Sequence, residues 1–400
     1  MDARKYLMII ACMFALFECK AQDLNTAEQA DSTVTRLFKA GDWKNVVRFG
    51  QQAVDKGIDF VVLRQQMGYA YFIIGNYSKA LVEYDAVLEK DPKNKTASYY
   101  AYLCAKYLNH DLQASWYASR LDTNQLRDEK IGAFAPLNAG IEAGTKDPEE
   151  AYRSNATYSR LFESNRLSWR LQLDQSYLNF SQSISSPIIY RERYRDETEI
   201  LSVTNIDKQY EYYAKLGFVI NSKFTLIGSY HYLNTNFQNI TYNSNIGLAG
   251  LKYAGTYFDL QADFNWGFMI DRHLLQYNAS LLFYPLGNLN LYTITRYSYL
   301  NQNALGQTIF TQSLGFKAMA NVWLETGLTF GNMDNYIDAD GLYIYNSIDA
   351  TKLKLGETVF YQLGKHAQLQ LNYAIEKKDD DRHDINYNQH SITAALLWKF

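Results

Sequence analysis

The six histidines, His110, His231, His273, His366, His383 and His390, have the widest chemical range in this chain, yet none stands at a metal-ligand spacing or beside a nucleophile motif. His383 lies among Asp379, Asp380, Asp381 and Asp384, which could support acid-base work but read better as a solvated acidic surface. Asp338-Ala339-Asp340-Gly341 has the alternating aspartates of a calcium loop. It fails as one, because Tyr336 sits where the first carboxylate ligand belongs and Ser347 where the bidentate glutamate should be. No glycine-rich phosphate loop occurs. The chain is therefore expected to be no enzyme, with no catalytic, cofactor-binding or metal-binding residues. What recurs instead is single charges set among apolar residues: Arg170, Asp174, Glu211, Lys215, Asp259, Asp263, Arg296, Lys317, Glu325, Lys352, Lys354, Glu376 and Lys399. Their two signs are nearly balanced, which suits ion pairing or a polar lining.

The elements that would position these charges alternate with period two, the repeat of a β-strand. Phe258, Leu260, Ala262, Phe264 and Trp266 alternate with Asp259, Gln261, Asp263 and Asn265; Leu369, Leu371, Tyr373 and Ile375 alternate with Gln368, Gln370, Asn372 and Glu376. From Arg166 onward such segments are separated by short connections at 221–223, 254–255, 285–287, 320–321 and 364–366. Long connections fall near 181–205, 234–242, 268–272, 300–307, 332–345 and 378–385. Five short and six long connections make twelve strands, an even number that leaves both ends on the short-turn side. Two residues break the parity: Glu357 and Lys252 fall on the apolar face. A bulge at Gly356 would return Glu357 to the polar face.

The first part of the chain has another period. Gly41-Asp42-Trp43, Gly75-Asn76-Tyr77 and Asn109-His110-Asp111 follow one another at intervals of 34 positions, the length of a helix-pair repeat. In the middle copy Gly68, Tyr71, Ala80, Tyr84 and Pro92 fall at the small, aromatic and proline positions of tetratricopeptide repeats, which this region resembles. Three such pairs are about the minimum that stacks into a core. Thr123 opens a capping helix, and Pro136, Gly140, Gly144 and Pro148 mark a hinge or linker.

At the N-terminus, Arg4 and Lys5 precede an apolar run from Tyr6 to Phe17, too short to span a bilayer, and Cys19 and Ala21 supply small residues for cleavage. This reads as a secretory signal peptide cut after Ala21. It removes Cys12 and Cys19, leaving Cys104 without an intramolecular partner. The expected domains are thus a signal peptide at 1–21, a helical domain at 22–135, a linker at 136–165 and a barrel at 166–400. The fold class is an α-solenoid of about three helix pairs followed by an antiparallel transmembrane β-barrel of about twelve strands.

The final segment from Ser391 to Phe400 resembles the last strand of bacterial outer-membrane barrels. Trp398 and Phe400 stand where the barrel-assembly machinery of that family reads its signal. A composition of 47% hydrophobic and 15% aromatic residues, with 34 tyrosines and no long apolar run after the signal, is compatible with such a barrel, whose aromatic residues collect in interfacial girdles. A net charge of −3 argues against a nucleic-acid partner.

In domain order the whole chain resembles the tetratricopeptide-barrel export proteins for cellulose and poly-N-acetylglucosamine, and the smaller YaiO-type outer-membrane barrels. That resemblance implies a Gram-negative outer-membrane location with the repeats in the periplasm. Implied partners are outer-membrane lipid and lipopolysaccharide, the assembly machinery, and a periplasmic protein or peptide in the repeat groove. It implies an export or assembly role that recruits a periplasmic partner, polysaccharide export being one form of it. A small-solute diffusion channel and a closed barrel anchoring a scaffold are the other readings, and the interior charges suit either ion pairs that zip the lumen shut or a narrow polar conduit.

Overall fold

The computed structural model describes residues 26–150, 152–191, 198–269, 272–302, 305–380 and 384–400. The segment expected to be a signal peptide and His383 lie outside them. Among the described residues seven helices come first: α1 (Ala27–Lys39), α2 (Trp43–Asp55), α3 (Val61–Ile73), α4 (Tyr77–Lys90), α5 (Lys95–Tyr107), α6 (Asp111–Ala118) and α7 (Thr123–Asp128). The 34-residue period is the period of the turns inside successive pairs. Gly41, Gly75 and Asn109 each adopt a left-handed φ, at +71°, +82° and +57°, which ends one helix. Asp42 and Asn76 then cap the next by accepting from the backbone N–H three residues on. Among the described residues, no helix is long and apolar enough to cross a membrane.

Helix packing explains the residues that carried the repeat reading. Gly68 on α3 faces the ring of Tyr84 on α4, where a Cβ would come within 2.9 Å of Cζ. Ala80 and Tyr84 are fully buried, Tyr71 bridges the two helical core clusters, and Pro92 sits in the exposed turn between α4 and α5. Cys104 is buried in the same core.

The remainder forms a closed antiparallel barrel of fourteen strands rather than twelve. The two extra strands are β1 (Ala135–Pro148) and β2 (Ala156–Ser168), the segment expected to be a linker. Its prolines lie near or at the ends of β1. Its glycines are inside β1 because aromatic rings of β2 cover them: Phe162 lies over Gly140, and Tyr158 lies over Gly144 so closely that a Cβ there would meet Cζ at 2.5 Å. β1 pairs with the last strand, closing the ring.

Around the barrel follow β3 (Leu171–Arg191), β4 (Thr198–Val219), β5 (Phe224–Phe237), β6 (Ile240–Ala254), β7 (Phe258–Met269), β8 (Arg272–Phe283), β9 (Leu291–Gln302), β10 (Leu305–Met319) and β11 (Val322–Gly331). The short β12 (Ile337–Asp338) and β13 (Tyr343–Ile344) form a separate hairpin; β14 (Ala350–Leu363), β15 (Ala367–Asp380) and β16 (Ile385–Lys399) complete the wall. Four expected long connections are mostly strand. Much of 181–205 belongs to β3 and β4, the stretch near 234–242 contains only a tight turn at Gln238-Asn239, both at positive φ, and β7–β8 and β9–β10 take up all but 270–271 of 268–272 and all but 303–304 of 300–307.

Apolar side chains cover the outside. Leu260, Phe264 and Trp266 of β7 and Leu371 and Tyr373 of β15 point outward, and Trp398 of β16 and Phe400 just after it are 50% and 64% exposed. Glu357 stays on this outer face, accepting a hydrogen bond from Thr326 Oγ1 at 2.5 Å. The expected bulge at Gly356 is absent from the β14–β15 register; the bulge lies between Thr351 and Leu353.

Candidate functional site

Both ends of the barrel chain, and therefore the helical domain, lie at one mouth, here termed proximal. Two of the three periodic turns dock on it. At the α3–α4 turn, Asn288 Nδ2 donates to the Gly75 carbonyl at 2.7 Å, Asn76 Nδ2 donates to the Tyr257 hydroxyl at 3.3 Å, and the Ser78 amide donates to the Gly287 carbonyl at 3.1 Å. At the α5–α6 turn, His110 Nε2 lies 2.8 Å from Asp259 Oδ2, and Gln113 Nε2 donates to Thr225 Oγ1 at 3.0 Å. Leu112 fits against Gly217, which has no side chain to obstruct it. Arg166, at the end of β2, donates to Ser115 Oγ at 2.7 Å and to the Gly132 carbonyl at 2.9 Å.

An unbroken series of ring contacts runs through the helical domain towards this mouth. Trp43, Tyr69, Tyr100, Phe72 and Tyr77 follow one another with centroids 5.2 to 5.6 Å apart, and Tyr77 stacks on Tyr107 at 4.8 Å. Tyr77 and Tyr107 then line a cavity of about 1150 Å³ at the proximal end of the lumen.

The far side of that cavity is a plug. The connection from β11 to β14 folds into the barrel instead of leaving it, and its Ala339 and Leu342 line the same cavity. Met333, Tyr336 and Ile337 are fully buried against Ile246, Met269, Leu274, Leu300 and Ile309. Each such side chain contributes about 1.5–3 kcal/mol, enough to hold the segment inside. Its backbone is held by wall side chains. Gln276 brackets Ile337, donating to its carbonyl at 2.6 Å and accepting from its amide at 3.0 Å. Tyr213 and Ser229 donate to the Asp340 carbonyl at 3.0 and 2.8 Å, and His231 Nδ1 lies 2.7 Å from the Gly341 carbonyl.

The charged residues singled out in the sequence fall into layers. Near the proximal mouth, Asp259 meets His110, Glu325 accepts from the Tyr292 hydroxyl at 2.6 Å, and Lys317 and Lys399 line the cavity. In the middle, Asp174 pairs with Lys215 at 3.2 Å, Glu211 Oε2 lies 3.2 Å from His231 Nε2, and Asp263 accepts from Gln261 and Asn278. Arg296 pairs with Asp338 of the plug. Further out, Glu376 lies 3.5 Å from Lys354 and 3.3 Å from Lys378.

Three positions differ from expectation. Arg170 is exposed in the β2–β3 turn, where the strand has ended. Lys352 is the extra residue of the β14 bulge and pairs at 3.5 Å with Asp379, between the buried Lys378 and Asp380. Lys252 points inward and reaches Asp340 at 3.2 Å. Its parity was illegible because inward Ile246 and Leu248 on the same strand are apolar, Ile246 packing on the plug.

Sequence reasoning missed the plug, Glu142–Arg160 at 2.7 Å and a distal network around Arg153. The signal for the plug was present: Met333, Tyr336, Ile337, Leu342, Tyr343, Ile344 and Tyr345 are too apolar for a solvated loop. Among the described residues, no group of three or more His, Cys, Asp or Glu could hold a metal ion.

Two carboxyls of the helical domain titrate in opposite directions. Arg64, 2.9 Å from Asp59, holds that carboxyl down at about 2. Burial pushes Asp85 up to about 6, although the Tyr117 hydroxyl donates to it at 2.6 Å. Asp59 contributes stability above its unfolded value, lost as pH falls from about 4 towards 2. Asp85 acts oppositely: the folded domain takes up a proton first, so this group's contribution rises as pH falls from about 6 to 4. Asp85→Asn is expected to flatten that rise in pH-dependent thermal melts of the helical domain's circular dichroism. An unchanged profile would count against it.

The fold and site define a closed fourteen-stranded barrel with an internal plug and a helical domain docked on one mouth. No protein-family model and no curated protein matches the chain. Solved structures similar to it include the Pseudomonas putida toluene transporter TodX, with 9% identity and a TM-score of 0.45 over 67% of this chain and 89% of that one. A bacterial polysaccharide outer membrane secretin matches with 8% identity and a TM-score of 0.39, over 66% of this chain and 98% of that one. The KdgM porin in complex with oligogalacturonate gives 10% and 0.31, over 66% and 99%.

Proposed function

We propose that the protein is a Gram-negative outer-membrane β-barrel carrying a tetratricopeptide-like domain on its periplasmic side, and that it works as a gated component of an export or assembly route. The apolar outer wall and the aromatic C-terminal strand support the membrane reading. The gating reading rests on one observation: a single cavity is bounded by the α5–α6 turn on one side and by the plug on the other. A protein or peptide that binds the helical domain in the periplasm would act on the element lying across the lumen entrance. The aromatic series gives that signal a packed path to Tyr77 and Tyr107.

Single-channel recording in planar bilayers tests this with the intact chain, with 334–347 replaced by a short Gly-Ser link, and with 26–130 deleted. The intact chain is expected to stay mostly closed, and shortening the plug to produce openings. Steady current through the intact chain would support a small-solute diffusion channel instead. Silence in every form, with heat-modifiable migration showing a folded barrel, would leave a closed anchor.

A further inference from the structure

The tip of the plug occupies a carboxylate-binding site built into the barrel wall. Asp340 Oδ2 lies 3.2 Å from Lys252 Nζ and 3.4 Å from Lys215 Nζ, while Gln261 Nε2 donates to Oδ1 at 2.7 Å. Two strands away from Gln261's β7, Arg296 of β9 holds the second plug carboxylate, Asp338. The wall thus engages both oxygens of one carboxylate with three donors from three strands, β4, β6 and β7. The tip accepts an unusual backbone to reach them: Ala339, Asp340 and Gly341 all have positive φ, at +50°, +60° and +89°. Two of the three are not glycine, so the conformation persists only because the surroundings impose it.

Wall carboxylates occupy only part of this donor set. Asp174 shares Lys215, and Asp263 is already engaged by Gln261 and Asn278. With the plug seated, Lys215, Lys252 and Arg296 share their layer with five carboxylates, Asp174, Glu211, Asp263, Asp338 and Asp340. Withdrawal removes the last two, taking away two negative charges and leaving Lys252 and Arg296 without the carboxylates they held.

We infer that Asp340 is a tethered stand-in for an exogenous ligand, and that Lys215, Lys252 and Gln261 form a binding site for carboxylated solutes that is free when the plug leaves. This rests on the gated-conduit reading, since a barrel that never opens would have no use for the site. The plug and the solute compete for the same donors, so a carboxylated solute also favours the unplugged state.

Chemical rescue tests the site without requiring conduction. Asp340→Gly removes the carboxylate while keeping a residue suited to φ +60°. In detergent, the heat-modifiability midpoint of the full-length variant is expected to fall and then to recover by several degrees, saturably, with sodium formate. Formamide, and sodium chloride at equal ionic strength, should not reproduce the recovery. Adding Lys215→Gln and Lys252→Gln should abolish it. No formate-specific recovery, or an equal shift in the unsubstituted protein, would overturn the site. In bilayers, the plug-shortened chain should prefer chloride over potassium in its reversal potential and lose that preference in the double lysine variant. Current without such a preference would also overturn the inference. Formate rescue without any current would instead remove the conduit reading and leave the site.

Discussion

Replacing Arg153 by methionine is expected to lower the stability of the protein by about 3–5 kcal/mol, the usual cost of leaving buried charges without their partner. Arg153 stands between β1 and β2 at the distal mouth with its side chain 4% exposed, and donates to Asp349 at 2.8 and 3.0 Å and to Asp380 at 2.9 Å. The Tyr387 hydroxyl donates to Asp349 at 2.7 Å. Asp349 immediately precedes β14, so the network ties the root of the plug to β15 and β16. Loss of the guanidinium removes two hydrogen bonds from Asp349, which is nearly unexposed and keeps only the Tyr387 hydroxyl. The substitution should therefore also loosen the plug, seen as faster proteolysis within 332–349 and a lower heat-modifiability midpoint. Adding Asp349→Asn should recover part of the loss, because the cost at that position lies in a buried carboxylate deprived of the guanidinium. A single variant as stable as the parent would show that the network does not hold the root.

Gly287→Val is expected to release the helical domain from the barrel while leaving both folded. Gly287 has φ +69°, and a Cβ there would collide with the Asn76 carboxamide. Asn76 cannot simply turn away, because its Oδ1 caps α4 through the Lys79 amide at 3.0 Å. The left-handed backbone costs a β-branched residue about 1–2 kcal/mol, and overpacking adds about 1–3 kcal/mol. Gly364→Val separates the two effects: its φ is +67° but nothing lies within 4 Å of the added Cβ. Limited proteolysis between 129 and 134 should cut the Gly287 variant quickly and the Gly364 variant as slowly as the parent. Equal protection of both would mean that the α3–α4 turn does not carry the docking. If the gated reading is right, the released form should also differ from the parent in its bilayer openings.

What the sequence determined by itself follows from local rules. Strand alternation depends only on the pleat, so the outward faces of β7, β15 and β16 were legible residue by residue. The intra-pair turns were legible because a left-handed residue followed by a capping side chain is a local requirement, repeated at 41–42 and 75–76. Tertiary structure decided what depends on partners remote in the chain. Gly140 and Gly144 look like hinge residues until Phe162 and Tyr158 cover them. A connection is indistinguishable from a surface loop until it is known that the lumen has room for it and apolar wall residues to receive it. Once the plug is inside, period two no longer separates core from surface on β6, where both faces are apolar. The two turns that mark the repeats could not reveal their docking role either, since their partners, Asp259 and Asn288, lie 149 and 213 residues away. Local sequence shows which way most wall side chains point, and only closure of the barrel around the plug decides what they meet there.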